Sequence, residues 1–219
     1  MTHLTPGIYR SLFNILDKAG VEYSFMDKDG SVCCGRPLML SGDVKGAGEL
    51  IKKNTELIKA SGCKTLLLSC PICYKIFRDE YKLEGIEVIH HSVYINNLLK
   101  SGKIKVKRGT GKYVYHDPCE LGRGAGIYEQ PRELLSETSI LLESPEERGE
   151  SICCGGSIGS LTMSYDKRKK ITEHSLEVLN TNKPDIVATA CPLCMRTFSP
   201  LNKKSETADI AQIISRNLI

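Results

Sequence analysis

Long apolar runs are missing from this 219-residue sequence: none approaches the roughly eighteen residues that a helical membrane span needs. The opening Met1-Thr-His-Leu-Thr-Pro6 also lacks the charged-then-apolar pattern of a secretory signal, so a cytoplasmic protein is expected. A strong excess of one charge is missing too. Thirty basic residues stand against 26 acidic ones, for a net charge of +4, and the acids are interspersed along most helical segments. That balance calls for no nucleic-acid partner. The basic run Lys103, Lys105, Lys107, Arg108 and Lys112 reads as a solvated connector. Glycines gather near cysteines, at Gly122, Gly124, Gly126, Gly155, Gly156 and Gly159, but without the Lys-Ser/Thr of a P-loop or a full Gly-x-Gly-x-x-Gly. Hydrogen bonding of their backbone N–H groups to metal-bound sulfur suits them better than a phosphate.

What the chain has is cysteine, ten in all, and 41% apolar residues, enough for an ordinary core. In a reducing compartment such thiols serve as metal ligands or redox groups more often than as disulfides. Five of them fall between His116 and Phe198: Cys119, the adjacent pair Cys153 and Cys154, and the Cys191-Pro-Leu-Cys194 turn. Gaps of thirty-three residues between Cys119 and Cys153, and thirty-six between Cys154 and Cys191, require ligands gathered from separate loops. The first half repeats the arrangement with Cys33-Cys34-Gly35 and Cys70-Pro-Ile-Cys73. Cys70, Pro71, Cys73 and Phe77 match Cys191, Pro192, Cys194 and Phe198 at an offset of 121, and the double cysteines match at 120. Two related modules in pseudo-twofold arrangement are expected, 1–105 and 106–219.

Periodicity places helices over Ile8–Ala19, Asp43–Ala60, Val93–Leu98, Gln130–Glu137 and Tyr165–Leu179. Strands are predicted at Leu66–Leu68, Glu87–His90, Tyr113–His116, Ile140–Leu142 and Ile186–Ala190. Alternation of strand and helix argues for an α/β fold, mostly parallel sheets flanked by helices, with the cysteine loops at the strand carboxyl ends.

Soft thiolates select zinc, copper(I) or iron with inorganic sulfide, and a thiol pair working as a redox group is a further reading. The twenty-five residues after Cys194 are too few for a thioredoxin-like fold built on the second copy. Adjacent cysteines rarely reach one zinc ion together, whereas a multi-iron cluster offers separate iron atoms, so five cysteines favour the cluster. Cys70 and Cys191, ahead of Pro71 and Pro192, are placed to be stabilised as thiolates by a helix start. His116 beside Asp117-Pro118-Cys119 is a candidate catalytic proton donor, with a turn-capping histidine as the plain alternative. Cys63 reads as a small hydrophobe.

Tyr115-His-Asp-Pro-Cys-Glu-Leu-Gly-Arg123, Gln130-Pro-Arg-Glu-Leu-Leu135, Cys153-Cys-Gly155 and Ala190-Cys-Pro-Leu-Cys194 resemble the cysteine-rich CCG-domain proteins over nearly the whole chain. That group includes the heterodisulfide reductase catalytic subunit, the glycolate oxidase iron-sulfur subunit and one of the subunits of anaerobic glycerol-3-phosphate dehydrogenase. The resemblance implies a noncubane [4Fe-4S] cluster on Cys119, Cys153, Cys154, Cys191 and Cys194, and disulfide reduction in one-electron steps. It equally allows an electron-relay subunit of a flavin-dependent 2-hydroxy acid or glycerol-3-phosphate dehydrogenase. A zinc-stabilised interaction module is the reading from another class. No ferredoxin-type Cys-x-x-Cys-x-x-Cys-x-x-x-Cys-Pro run is present, so electrons are expected from a flavoprotein or ferredoxin-type partner, through which the chain would also reach a membrane. In the first repeat, Cys33, Cys34, Cys70 and Cys73 could hold a second cluster or zinc. The offset places the counterpart of Cys119 before Met1, which leads to the expectation of a longer protein or an internal start.

Overall fold

The computed structural model describes residues 5–26, 28, 33–156 and 162–219. Its strands form two parallel sheets. In one, β1 (Thr65–Leu68) pairs with β2 (Glu87–His90), Leu68 opposite His90. The other has the order β4-β3-β5-β6 and joins β3 (Lys112–His116), β4 (Ile140–Leu142), β5 (Ile186–Thr189) and β6 (Glu206–Asp209). The central β5 is buried at every position, as a parallel strand covered on both faces must be. Helices fill the intervals: α1 (Pro6–Lys18), α2 (Arg36–Ser41), α3 (Val44–Ala60), α4 (Pro71–Asp79), α5 (His91–Lys100), α6 (Gly122–Ala125), α7 (Glu129–Thr138), α8 (Tyr165–Leu179), α9 (Pro192–Phe198) and α10 (Ile210–Arg216). The α/β class with parallel sheets and two pseudo-symmetric repeats is what the alternation predicts.

Local chemistry explains most boundaries. Asp43 is the cap of α3 and not its first turn, its side chain accepting from Gly46 N at 2.9 Å. Gly20 takes the left-handed conformation (φ +64°) that closes α1. The sequence reading missed β6 and α10. Glu206-Thr-Ala-Asp209 has a single apolar residue, and it is a strand because Ala208 lies opposite Ala188 of β5. Asp209 then starts α10 through a reciprocal capping box with Gln212.

The repeat is visible in the element order. β1-α4-β2-α5 recurs as β5-α9-β6-α10, with β2 and β6 related by an offset of 119. The two sheets differ in size because β3 has no counterpart among the described residues, and residues 21–25 run irregularly where β4 has its equivalent.

One core joins the repeats. Ile8, Leu12, Ile15 and Leu16 on one stripe of α1 pack in the same cluster as Ile210, Ile213 and Ile214 of α10, with Ile95 and Leu98 of α5 and Leu134 and Leu135 of α7. Each such fully buried side chain contributes roughly 1.5–3 kcal/mol. Two smaller clusters sit under the thiols: Val114, Leu176, Val187 and Phe198 with Cys154, Cys191 and Cys194, and Ile58, Leu66, Phe77 and Tyr81 with Cys34.

Candidate metal centre

Each thiol of the second repeat is delivered by a sharp change of backbone direction. Cys191 is extended (φ −150°) at the end of β5, and Pro192 opens α9 at once, so Cys191 and Cys194 stand one helical turn apart. Cys119 follows β3 through Pro118, whose carbonyl accepts from both Leu121 N and Gly122 N at 2.9 Å. Cys153 and Cys154 lie beyond the 3-10 turn Arg148–Glu150.

The five sulfurs form a continuous chain of contacts. Cys153 interacts with the thiols of Cys119 and Cys154, Cys154 also with that of Cys194, and Cys194 with that of Cys191. The Cys119 thiol is the main reason that Cys153 is lowered to about 2, helped by Cys154 and by the Gly155 N–H at 3.4 Å. The same interaction raises Cys119, while Cys153 pushes Cys154 up to about 12. Cys194 is raised well above the ordinary thiol range by Cys154 and Cys191. Thiol ligands bind a metal as thiolates, so a cation entering there would displace their protons.

Gly155 has φ +79°, and a side chain on it would meet Arg168 O at 2.9 Å. Gly156 is crowded by Thr197 and by the Cys154 sulfur, 3.4 Å from where a Cβ would sit. The tight loop that turns Cys153 and Cys154 inward therefore depends on glycine. Gly159 lies outside the described residues.

His116 ends β3 opposite Thr189 of β5, its ring edge-on to Phe198 at 4.8 Å. It is 1% exposed and both ring nitrogens lack a hydrogen-bond partner among the described residues, so it does not cap the turn. Its ligating atom and the sulfurs of Cys154 and Cys194 all lie within 4.8 Å of one another. Burial holds its pKa down to about 4, which keeps the ring neutral at ordinary pH.

The neighbouring Asp117 has a different role from the proton donor considered for this pair. Its two oxygens each accept from Arg132 at 2.7 Å, Arg148 N donates to it at 2.8 Å, and Arg132 lies over the Tyr115 ring at 5.2 Å. That buried ion pair fixes the end of β3, and with it His116 and Cys119, against α7. The only sequence signal for it was Gln130-Pro-Arg132 among the family-like residues.

The site opens into a narrow cleft of about 10 Å³ lined by Pro118, Cys119, Glu120, Leu193 and, from the first repeat, Ile72. Arg36 of α2 reaches Glu120 at 3.7 Å.

In the first repeat Cys34, Cys70 and Cys73 converge. Cys73 hydrogen-bonds both others, lowering Cys34 to about 6 and lowering Cys70, and is itself raised. For Cys70 the Cys73 thiol outweighs the N–H groups at the start of α4, which also act in the expected direction. Cys33 is exposed, its sulfur 3.5 Å from Gly35 N as Cys153 stands to Gly155. Asn54 donates to Cys33 O at 2.9 Å and Tyr81 to Cys34 O at 3.2 Å, holding this loop from beneath. Neither was identified from sequence, although a lone Asn between Leu50 and Ile58 on the stripe of α3 was a visible signal. Cys63 packs against the small apolar cluster of Ile58 and Leu66, its thiol 3.9 Å from Ile58 O.

Buried soft donors in this arrangement fit a thiolate-bound metal group, and comparison with known proteins agrees. The cysteine-rich domain family CCG matches residues 1–78 and 113–199. The chain is 32% identical over 220 residues to one of the subunits of dihydromethanophenazine:CoB–CoM heterodisulfide reductase from Methanosarcina acetivorans, covering 93% of this chain and 53% of that one. It is 28% identical to EtfAB:quinone oxidoreductase of Syntrophomonas wolfei, covering 93% of this chain and 30% of the other. The chain thus spans about half, or less, of these relatives' length. Among solved structures it resembles an aspartate racemase homologue from Pyrococcus horikoshii at 12% identity and a TM-score of 0.38, over 99% of this chain and 92% of that one, a likeness too loose to argue from.

Proposed function

Since the chain belongs to the cysteine-rich CCG domain family, we propose that it acts as an iron-sulfur oxidoreductase subunit whose second repeat holds a noncubane [4Fe-4S] cluster on Cys119, Cys153, Cys154, Cys191 and Cys194. The supporting observation is the unbroken chain of five sulfur contacts, brought together from three separate loops. In this reading residues 1–105 and 106–219 are the two repeats, and Cys33, Cys34, Cys70 and Cys73 offer a second site for a cluster or zinc.

When bound, the cluster would supply one-electron transfers. The protein's residues do the rest. Asp117 and Arg132 hold the β3 end in place, Gly155 and Gly156 turn the double cysteine inward, and Ile72 and Leu193 keep the cleft wall apolar. A disulfide substrate takes two electrons and two protons, breaks its S–S bond and leaves as two thiols. His116 is the buried group available to pass a proton. The electrons come from a flavoprotein or ferredoxin-type partner, in keeping with relatives named as reductase and quinone-oxidoreductase proteins. The cytoplasm is the proposed location. No helix among the described residues is long and apolar enough to cross a membrane.

Anaerobic purification with iron, zinc and acid-labile sulfide analysis tests the reading. Iron and sulfide in similar amounts, lost in Cys119→Ser, are expected; zinc without sulfide would instead identify a zinc-stabilised module. With the cluster present, disulfide reduction from an artificial donor identifies the enzyme, and inactivity in the cluster-replete complex identifies an electron relay.

A further inference from the structure

His116 has a position that proton delivery does not use up. Its imidazole is enclosed, with both nitrogens unpaired among the described residues, and lies beside Phe198 and the apolar cluster of Val114 and Val187. Its edge-on packing against Phe198 leaves little freedom to turn toward solvent. A neutral imidazole carries one N–H and one lone pair, and a buried lone pair ordinarily finds a donor or a metal. Here it faces the sulfurs of Cys154 and Cys194, within 4.8 Å, and neither thiol makes a hydrogen bond to it. The backbone explains why. His116 and Thr189 are partners in the β3–β5 register, so the residue ending β3 and the turn leaving β5 toward Cys191 and Cys194 lie side by side.

We infer that His116 is a metal ligand: one ring nitrogen binds the same metal group as Cys154 and Cys194, giving the centre a mixed nitrogen and sulfur donor set. This rests on the second repeat holding metal, whichever metal that is. Imidazole suits both iron and zinc, and the three donor atoms already lie within 4.8 Å of one another. A neutral imidazole at this position leaves the centre less negative than a thiolate there would, which gives a higher reduction potential than a cysteine at 116.

The test is spectroscopic and independent of turnover. Protein labelled with 15N-histidine is loaded anaerobically with iron and sulfide, reduced, and examined by pulsed EPR. Coupling of the strength found for directly bonded imidazole nitrogen is expected in the wild type and absent in His116→Gln, which keeps an N–H donor but has no ring nitrogen. His116→Cys should load, show no such coupling and have a lower midpoint potential. Should only zinc bind, so that the cluster reading fails, X-ray absorption at the zinc edge decides the same point: one nitrogen at about 2.0–2.1 Å beside sulfur at about 2.3 Å is expected, and sulfur alone in His116→Cys. A wild-type centre with no bonded nitrogen, or coupling that persists in His116→Gln, overturns the assignment.

Discussion

Arg132 is 7% exposed and Asp117 3%, and the pair shares two hydrogen bonds of 2.7 Å. Deleting one partner leaves the other charge buried, so Arg132→Met should lower unfolding free energy by about 3–5 kcal/mol in urea titrations. The loss of anchoring at Cys119 should also reduce metal content. Gly155→Ala meets both a positive φ and a backbone oxygen 2.9 Å away, and is expected to cost about 1–3 kcal/mol in the same assay. His90 makes stability pH-dependent. Burial is the main cause, and His91 the second, of a folded pKa well below the ordinary 6.5, with the backbone of Ser69 and Ala190 opposing. As pH falls through 6.5 the unfolded chain takes up a proton that the folded one refuses, so stability is full above that pH and lost below it. His90 caps α5 by accepting from Ser92 N, which asparagine can also do. The difference in stability between wild type and His90→Asn should therefore move in the variant's favour between about pH 7.5 and 5, both proteins being metal-loaded. The five second-repeat cysteines were readable because thiolate chemistry is written in residue type and spacing. The Asp117–Arg132 pair was not, since an ion pair between β3 and α7 depends on how two elements dock.

Among elements, α1 and α10 show how a stripe is legible while its partner is not. Ile8, Leu12, Ile15 and Leu16 fall at helical spacing, and all are buried as that spacing predicts. What covers them is α10, which follows a strand with almost no apolar signal and begins on a cap that the sequence reading passed over. Strands Glu87–His90 and Ile140–Leu142 and the helix Tyr165–Leu179 lie where periodicity put them, because each carries its own pattern between clear breakers. β6 borrows its conformation from β5. Ile15 is completely buried against this shared core, and Ile15→Ala should destabilise the protein by about 2–5 kcal/mol, measured as a lower urea midpoint with an unchanged slope.

At the scale of the whole molecule, the repeats meet through polar contacts and through an apolar core, with unequal weight. The Arg36–Glu120 contact joins them at 3.7 Å with both side chains partly solvated. A double-mutant cycle with Arg36→Ala and Glu120→Ala should give a coupling below about 1 kcal/mol. The apolar core beneath carries the union. Sequence repetition announced two modules but said nothing of a common interior, because self-similarity records ancestry while packing records contact. That interior has a consequence in time. Asn14 of α1 hydrogen-bonds Ser215 of α10 at 2.9 Å, 201 residues later in the chain. At translation rates of about 5–20 residues per second, the first helix waits roughly 10–40 s on the ribosome before its partner has been made. Throughout that interval its greasy stripe is bare, so the nascent chain is a natural client for chaperones.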